Sequence, residues 1–479
     1  NNYANLLLIR DYADKYDAKL DYSINDKMSA FIRFSQHKDV TYQAPDIAGP
    51  SGGANNGYIH AMQQQGAAGY TWTLSPTSLV EARLGVNLIQ AGKNPPYLGG
   101  SNMQDLYGIP GLPTASNIAG GLNTQSVSGF NQFGRQATNP QYQDPTSINP
   151  KFNYSLVRGR HSIKTGYEFV NIWTEVLDIN PLYGSAAYAG QFSKPTCSQL
   201  GQAAGCAVTS DSTTYNLADF IFGLPSSIGF GNYFVTHQRQ YVHSMYAQDD
   251  FRLNSKLTVN VGLRYEFSTP LWEEGNNWTN FDPGTASLIK AKSGSLYDRA
   301  LVHPDFKDFG PRIGLAYSLN PKTVIRSGYG VSYSFFNRVG SALENINAPQ
   351  AIFGVLSQSF PGGGPVPSTF LTINKAYTAG IGDPSTYNAA TQINSNVDFV
   401  DPNTRWPMIQ SWLVSVQRQI TRNWLLEVAY NGNHSTHLPI IADYNQANAN
   451  AVGGTLGVQA RRPIPTFGPI TWVDPAGSN

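Results

Sequence analysis

After a break at Asn254-Ser255-Lys256, every odd position from 257 to 267 is apolar (Leu257, Val259, Val261, Leu263, Tyr265, Phe267). Every even one (Thr258, Asn260, Gly262, Arg264, Glu266) is polar or glycine. Side chains alternate across a strand, so one surface carries six large apolar groups and the other an Arg and a Glu. A soluble sandwich strand shows the same alternation but stops at about five or six residues, whereas a tilted membrane-spanning strand needs about nine to eleven. Length therefore points to a barrel wall with one dry face and one wet face.

The pattern of strand, tight polar turn and strand recurs six times. The turns are Asn25-Asp26-Lys27, Ser75-Pro76-Thr77, Arg158-Gly159-Arg160, Asn254-Ser255-Lys256, Asn320-Pro321-Lys322 and Thr421-Arg422-Asn423, all rich in residues that favour tight reversal. They predict strands at 12–24 and 28–37, 64–75 and 79–91, 147–157 and 161–178, 238–253 and 257–270, 308–319 and 323–336, 406–420 and 424–438. Tyr16, Ala18, Leu20, Tyr22 and Ile24 oppose Lys15, Asp17, Lys19, Asp21 and Ser23; Val80 to Leu88 oppose Glu81, Arg83 and Asn87; Trp424, Leu426, Val428 and Tyr430 oppose Glu427. Strand 323–336 is less clean. A slip of one residue would place Arg83 or Arg264 on the apolar face, costing about 2–4 kcal/mol each at mid-bilayer, so register is well determined.

Between hairpins the connections are long: 38–63, 92–146, 179–237, 271–307 and 337–405. In an up-and-down sheet alternate connections share an end, so one rim carries tight turns and the other only long loops. That is the asymmetry of an outer-membrane barrel with short periplasmic turns and long external loops, and a compact soluble domain has no reason to sort its loops so. The segment NLADFIFGLPSSIGFGN (216–232) reads as a short helix or strand inside the third long connection, because a full spanning strand there would invert every later turn. A strand over 228–253 that projects beyond the membrane is an alternative. PGGGPVPS at 361–368 is Gly/Pro-rich loop.

Only 13% of the 479 residues are charged, against about a quarter in a globular protein, and the formal net charge is +1. No run of Lys and Arg invites nucleic acid. No stretch approaches the roughly eighteen consecutive apolar residues of a transmembrane helix, so a membrane would be crossed with strands. There is no G-x-S-x-G, phosphate loop, H-E-x-x-H or C-x-x-C, and an enzymatic activity or cofactor is not expected. His434 and His437 in HSTH point to opposite faces of a strand and make a poor metal site. Asp249 and Asp250 likewise diverge and cannot form a dyad; Asp250 joins Gln248 and Arg252 on the wet face and Asp249 lies near a rim. Trp72, Trp406, Trp412, Trp424, Tyr70, Tyr241 and Tyr265 fit interfacial girdles better than a sugar-stacking platform.

The stretches YAQDDFRLNSKLTVNVGLRYEFSTP (246–270), DFGPRIGLAYSLNPKTVIRSGYGVSYSFF (308–336) and SWLVSVQRQITRNWLLEVAYNGNHSTHL (411–438) resemble the barrel of TonB-dependent outer-membrane receptors, particularly the Oar-like branch. The resemblance covers most of the chain and is weak in the loops. It implies a bacterial outer-membrane protein with a 22-stranded barrel and an N-terminal plug. Such a receptor imports a scarce ligand (iron chelate, oligosaccharide or peptide) with energy delivered through TonB. No plug, TonB box or closing terminal strand is evident, and the chain ends TWVDPAGSN. Residues 1–479 thus read as a partial barrel domain with both ends in external loops, and no ligand residues transfer. Two alternatives remain: a surface structural or adhesion protein using the loops at 92–146 and 337–405, and a passive channel.

Cys197 and Cys206, in CSQLGQAAGC, are too few for a structural zinc site. An oxidising compartment disfavours free thiols, and Gly201 and Gly205 give the chain freedom to close. A Cys197–Cys206 disulfide within the third long connection is expected, stabilising that loop by roughly 2–3 kcal/mol.

Overall fold

A computed structural model describes the chain except for residues 1–3, 54, 56, 204–211, 336–346, 348–350, 352, 359–369, 378–396, 451–453 and 479. All twelve expected strands form: Ile9–Asn25, Met28–Gln43, Gly57–Ser75, Ser78–Asn94, Gln141–Arg158, His161–Leu177, Thr236–Arg252, Leu257–Ser268, Phe309–Asn320, Thr323–Tyr333, Met408–Thr421 and Trp424–Asp443. Each pairs antiparallel with the next in sequence, giving an up-and-down meander within a 15-stranded sheet. Several strands begin or end three to seven residues further toward the long-loop rim than the sequence pattern suggests. There the wall is no longer one-sidedly apolar, and alternation fades before pairing does.

The turns owe their tightness to side chains that replace missing backbone partners. Asn254 Oδ1 accepts from the backbone N–H of Lys256 and Leu257 at 2.8 and 2.9 Å. Asn25 and Asn320 accept from Lys27 and Lys322, Ser75 from Thr77 and Thr421 from Asn423. In the remaining turn Gly159 takes φ +60°, a conformation that L side chains rarely adopt. Because the pairing is antiparallel throughout, all six turns lie on one rim.

Register sets the faces. Leu263 lies opposite Ala247 and Pro311, and Arg264 opposite Tyr246 and Gly310. Val261 and Leu263 are about half exposed, and Trp424 is 74% and Val428 65% exposed, so among the described residues no second sheet covers this face, which argues against a sandwich. From Leu257 to Phe267 the chain rises ~33 Å, or ~25 Å of height at a tilt of roughly 40°, the thickness of an apolar band. Trp72, Tyr70 and Trp424 lie near the short-turn end of that face. Toward the long-loop end Tyr265 packs on Phe309 (ring centroids 4.7 Å apart) and His243 on Phe169 (4.9 Å). Trp412, midway, lies over Gly432, where a Cβ would come within 2.4 Å of the indole.

Two features depart from the sequence reading. The terminal TWVDPAGSN is not loop: Ile470–Ser478 is a strand that pairs antiparallel with 424–443 and, at Ile470–Val473, parallel with the short strand Val397–Val400. Its Asp-Pro-Ala-Gly composition masked the pattern. Segment 216–232 is both helix and strand, Ser212–Ile221 followed by Ser227–Gly231, and stays in the third connection. PGGGPVPS at 361–368 falls outside the described residues.

At mid-height, Val261→Lys on the outward face is expected to lower stability by about 2–4 kcal/mol in urea titrations of protein refolded into vesicles, and Gln248→Lys on the inner face by under about 1 kcal/mol. Equal effects would refute the assigned faces.

Candidate functional site

The inner face of the wall carries charges that register brings together from distant strands. Glu168 Oε2 lies 3.3 Å from Lys151 Nζ and 3.6 Å from Arg264 Nη2, while Asn149 Nδ2 donates to its other oxygen. Arg264 Nε donates to Glu266 Oε1 at 2.8 Å, and Ser244 Oγ donates to the same atom. Tyr246 donates to Asn153. Further along, Arg83 pairs with Glu81 and Arg33 with Asp17. On the same face Phe31 occupies the space above Gly69, where a Cβ would come within 2.1 Å of the ring. The inner wall is thus polar and internally compensated, suited to a hydrated solute.

Above it the described parts of the long connections, now 44–56, 95–140, 178–235, 269–308, 334–407 and 444–469, fold into a cap. Segments from three of them form one four-stranded sheet: Phe353–Ser357, Ser227–Gly231, Ser185–Tyr188 and Thr124–Val127. Met103, Leu182, Tyr183, Ile228 and Tyr377 form an apolar core beside it. A buried chain of amides and hydroxyls ties the connections: Tyr188 donates to Gln125, Gln125 to Asn123, Asn123 to the Tyr377 hydroxyl, and Tyr377 to the Ser185 carbonyl. A second lobe gathers Phe281, Phe399, Phe467 and Ile470, with Asn280 bridging to both backbone groups of Val400.

At the long-loop rim the cap covers the inner side of the wall. Thr174, Thr236, Gln238 and Gln240 share the face of Glu168 and Ser244, and all are 1–2% exposed. Trp272–Glu273 adds a short strand against Gln238 and Arg239, and the Arg299 guanidinium covers the Trp272 ring at 3.5 Å. At the junction of cap and wall, Asp308 is buried, and among the described residues its Oδ2 has no partner. Burial pushes its carboxyl up to about 7; Asp305 and Glu266 push in the same direction, and Arg405 opposes them.

The residues singled out in the sequence scatter. Cys197 lies in the third connection, and Cys206 falls outside the described residues. His434 is opposite Gln410, and His437 has φ +58° beside a register shift; among the described residues no group of three or more His, Cys, Asp or Glu could hold a metal. Asp250 accepts from Asn260 on the inner face. Asp249, on the outer face near the short-turn rim, lies 2.6 Å from His161 Nδ1. Tyr241 reaches the cap by packing on Trp272, and Trp406 packs on Phe335. The cap core was missed: its aromatics and aliphatics (PLYGSAAY, NNWTNFD) lack any period, and only their density within long loops signalled buried structure.

A one-sidedly apolar meander with a polar inner wall, short turns on one rim and folded loops on the other defines the wall of an outer-membrane barrel. The chain belongs to the outer membrane beta barrel domain family, whose model matches residues 1–479, which places it in the bacterial outer membrane. No curated protein matches the chain. Among solved structures it is similar to the outer membrane transporter YddB from Escherichia coli (TM-score 0.51, 10% identity, covering 98% of this chain and 43% of that one). The siderophore receptor PirA from Acinetobacter baumannii gives 0.47, 9%, 98% and 49%. The chain spans about half the length of these structures or less, and likeness at this identity shows the fold alone.

Arg264→Ala would leave Glu168 and Glu266 short of a partner, and a loss of about 1–3 kcal/mol is expected. In a cycle with Glu266→Gln the two losses should not add; additive losses would refute coupling among these charges. For Asp308 the raised pKa means the folded state binds a proton that the unfolded chain, with a carboxyl near 3.9, releases earlier. Stability should therefore be fully present below about pH 4 and fall as pH rises toward 7, with a slope of up to about 1.4 kcal/mol per pH unit. Asp308→Asn should flatten this slope in urea titrations across that range.

Proposed function

We propose that the chain is the barrel portion of a TonB-dependent outer-membrane receptor of the Oar-like kind, which captures a solute too large for simple porins in its external cap and passes it inward, gated by a plug. The observation that carries this reading is the inward-folded cap over a polar, charge-compensated wall. A passive channel gains nothing from buried hydrogen-bonded loops drawn across its own inner wall, and an adhesin would present loops outward. The likeness to YddB, described as an outer membrane transporter, favours uptake, with iron chelate, oligosaccharide or peptide as cargo. No bond is made or broken.

Uptake of labelled ferric chelates, oligosaccharides and peptides by cells expressing the full-length protein tests it. Accumulation of one class should require the gene and TonB, and should stop when the inner membrane is de-energised. Energy-independent flux would support a channel instead, and binding of proteins or matrix without uptake an adhesin.

The Cys197–Cys206 bridge belongs to the same proposal, as a local clamp on the 178–235 connection. Alkylation without prior reduction should leave both cysteines unmodified by mass spectrometry. Reduction should speed amide exchange in that connection and leave the strands protected; two free thiols would refute the bridge.

A further inference from the structure

Arg135 is 5% exposed, in the second external connection. Its backbone is fixed: the N–H donates to Leu122 and the carbonyl accepts from Thr124 and Gln132. The guanidinium lies 3.7 Å over the Tyr183 ring, and Nη1 donates to the Gly120 carbonyl at 3.1 Å. Among the described residues Nε and Nη2, both buried, have no partner and no salt bridge includes this side chain. Burial lowers its pKa to about 9, which leaves it cationic at neutral pH. A guanidinium has five N–H donors in a rigid fork, and a buried cation with most of them idle is costly unless something else meets them.

A partly enclosed cavity of about 10 Å³, roughly the room that one water-sized group needs, adjoins it. Arg135 lines it together with Pro50, Pro95, Tyr97, Gly120 and Gly121, so the first and second connections both contribute. Gly120 takes φ +127°, and a Cβ there would lie 1.9 Å from the Tyr97 carbonyl, so only glycine lets the chains approach this closely. Pro50 and Tyr97 are exposed and Arg135 is buried, so the mouth faces solvent and the charge lies at the base.

We infer that this is a binding site for a single oxyanion group, a carboxylate or phosphate oxygen, whose charge is met by the idle Nε and Nη2 of Arg135 while the rest of the ligand lies across Pro50 and Tyr97. The lining explains the choice. Proline and tyrosine walls offer apolar contact but few donors; a neutral oxygen could accept from the idle N–H groups too, but only an anion also neutralises the buried cation and gains a charge-assisted pair from a fork already held in place. The inference deepens the uptake reading, on which it rests, by naming the chemistry that the cap recognises.

Calorimetric titration of the full-length protein in detergent, at constant chloride, with sodium acetate, inorganic phosphate and acetamide tests it. Saturable binding of acetate or phosphate is expected, with at least tenfold weaker binding of acetamide, the neutral isostere. Acetate alone saturating would assign a carboxylate ligand, phosphate alone a phosphorylated one. Arg135→Met keeps apolar volume over Tyr183 and should abolish binding; should that variant not fold, Tyr97→Leu at the exposed mouth should weaken it several-fold. Absence of saturable anion binding by the native protein, or undiminished binding in a folded Arg135→Met, would overturn the inference. Binding is read on purified protein, so intact anion binding with failed uptake counts against transport alone.

Discussion

Backbone pairing between neighbouring strands is the constraint on which everything else hangs. In lipid an unpaired N–H or C=O costs several kcal/mol because no water replaces the partner, so the chain must satisfy its backbone strand to strand. Once Leu257 pairs with Tyr317 and Arg264 with Gly310, the outward or inward direction of every side chain follows. The polar inner wall is then a consequence of register. Glu168 meets Arg264, 96 positions away in sequence, because strands 161–177 and 257–268 flank 236–252 at fixed offsets.

Hydrophobic burial is displaced from where a soluble fold would put it. Val261, Leu263 and Val428 are left uncovered for lipid, and the close-packed apolar clusters lie in the connections: Leu182 with Tyr183 and Ile228, Phe281 with Phe399 and Ile470. The wall is held by hydrogen bonds and by the membrane around it. The cap is held by the same apolar burial as any water-soluble domain, and its connections carry what the wall lacks, a specific three-dimensional surface.

The two halves differed accordingly in how much the sequence told. The twelve strands were legible because a two-sided environment writes a period of two, and the turns because Asn25, Asn254 and Asn320 each supply an acceptor to a tight reversal. Strand 470–478 was not, since Asp474-Pro475 breaks the pattern near the loop rim, where lipid no longer imposes it. The cap was illegible because contacts such as Asn123 with Tyr377 or Asn280 with Val400 join residues more than a hundred positions apart, with no wall to fix their register. Arg135 reads in sequence as one more loop arginine; only burial without a partner distinguishes it.

The cap's architecture constrains how anything could pass it. Its apolar residues fall into separate clusters, one built by the second, third and fifth connections and another by the fourth, fifth and sixth. The first leans on the wall through Leu177, and a further cluster of Trp272, Ala300, Val302 and Val400 does so through Trp272–Glu273 paired to Gln238 and Arg239. Lifting the whole cap would expose Thr174, Gln238 and Gln240 together with both clusters, a global cost. The fifth connection contributes to both lobes, through Tyr377 in one and Val397 to Val400 in the other, so the two are tied by a single covalent connection.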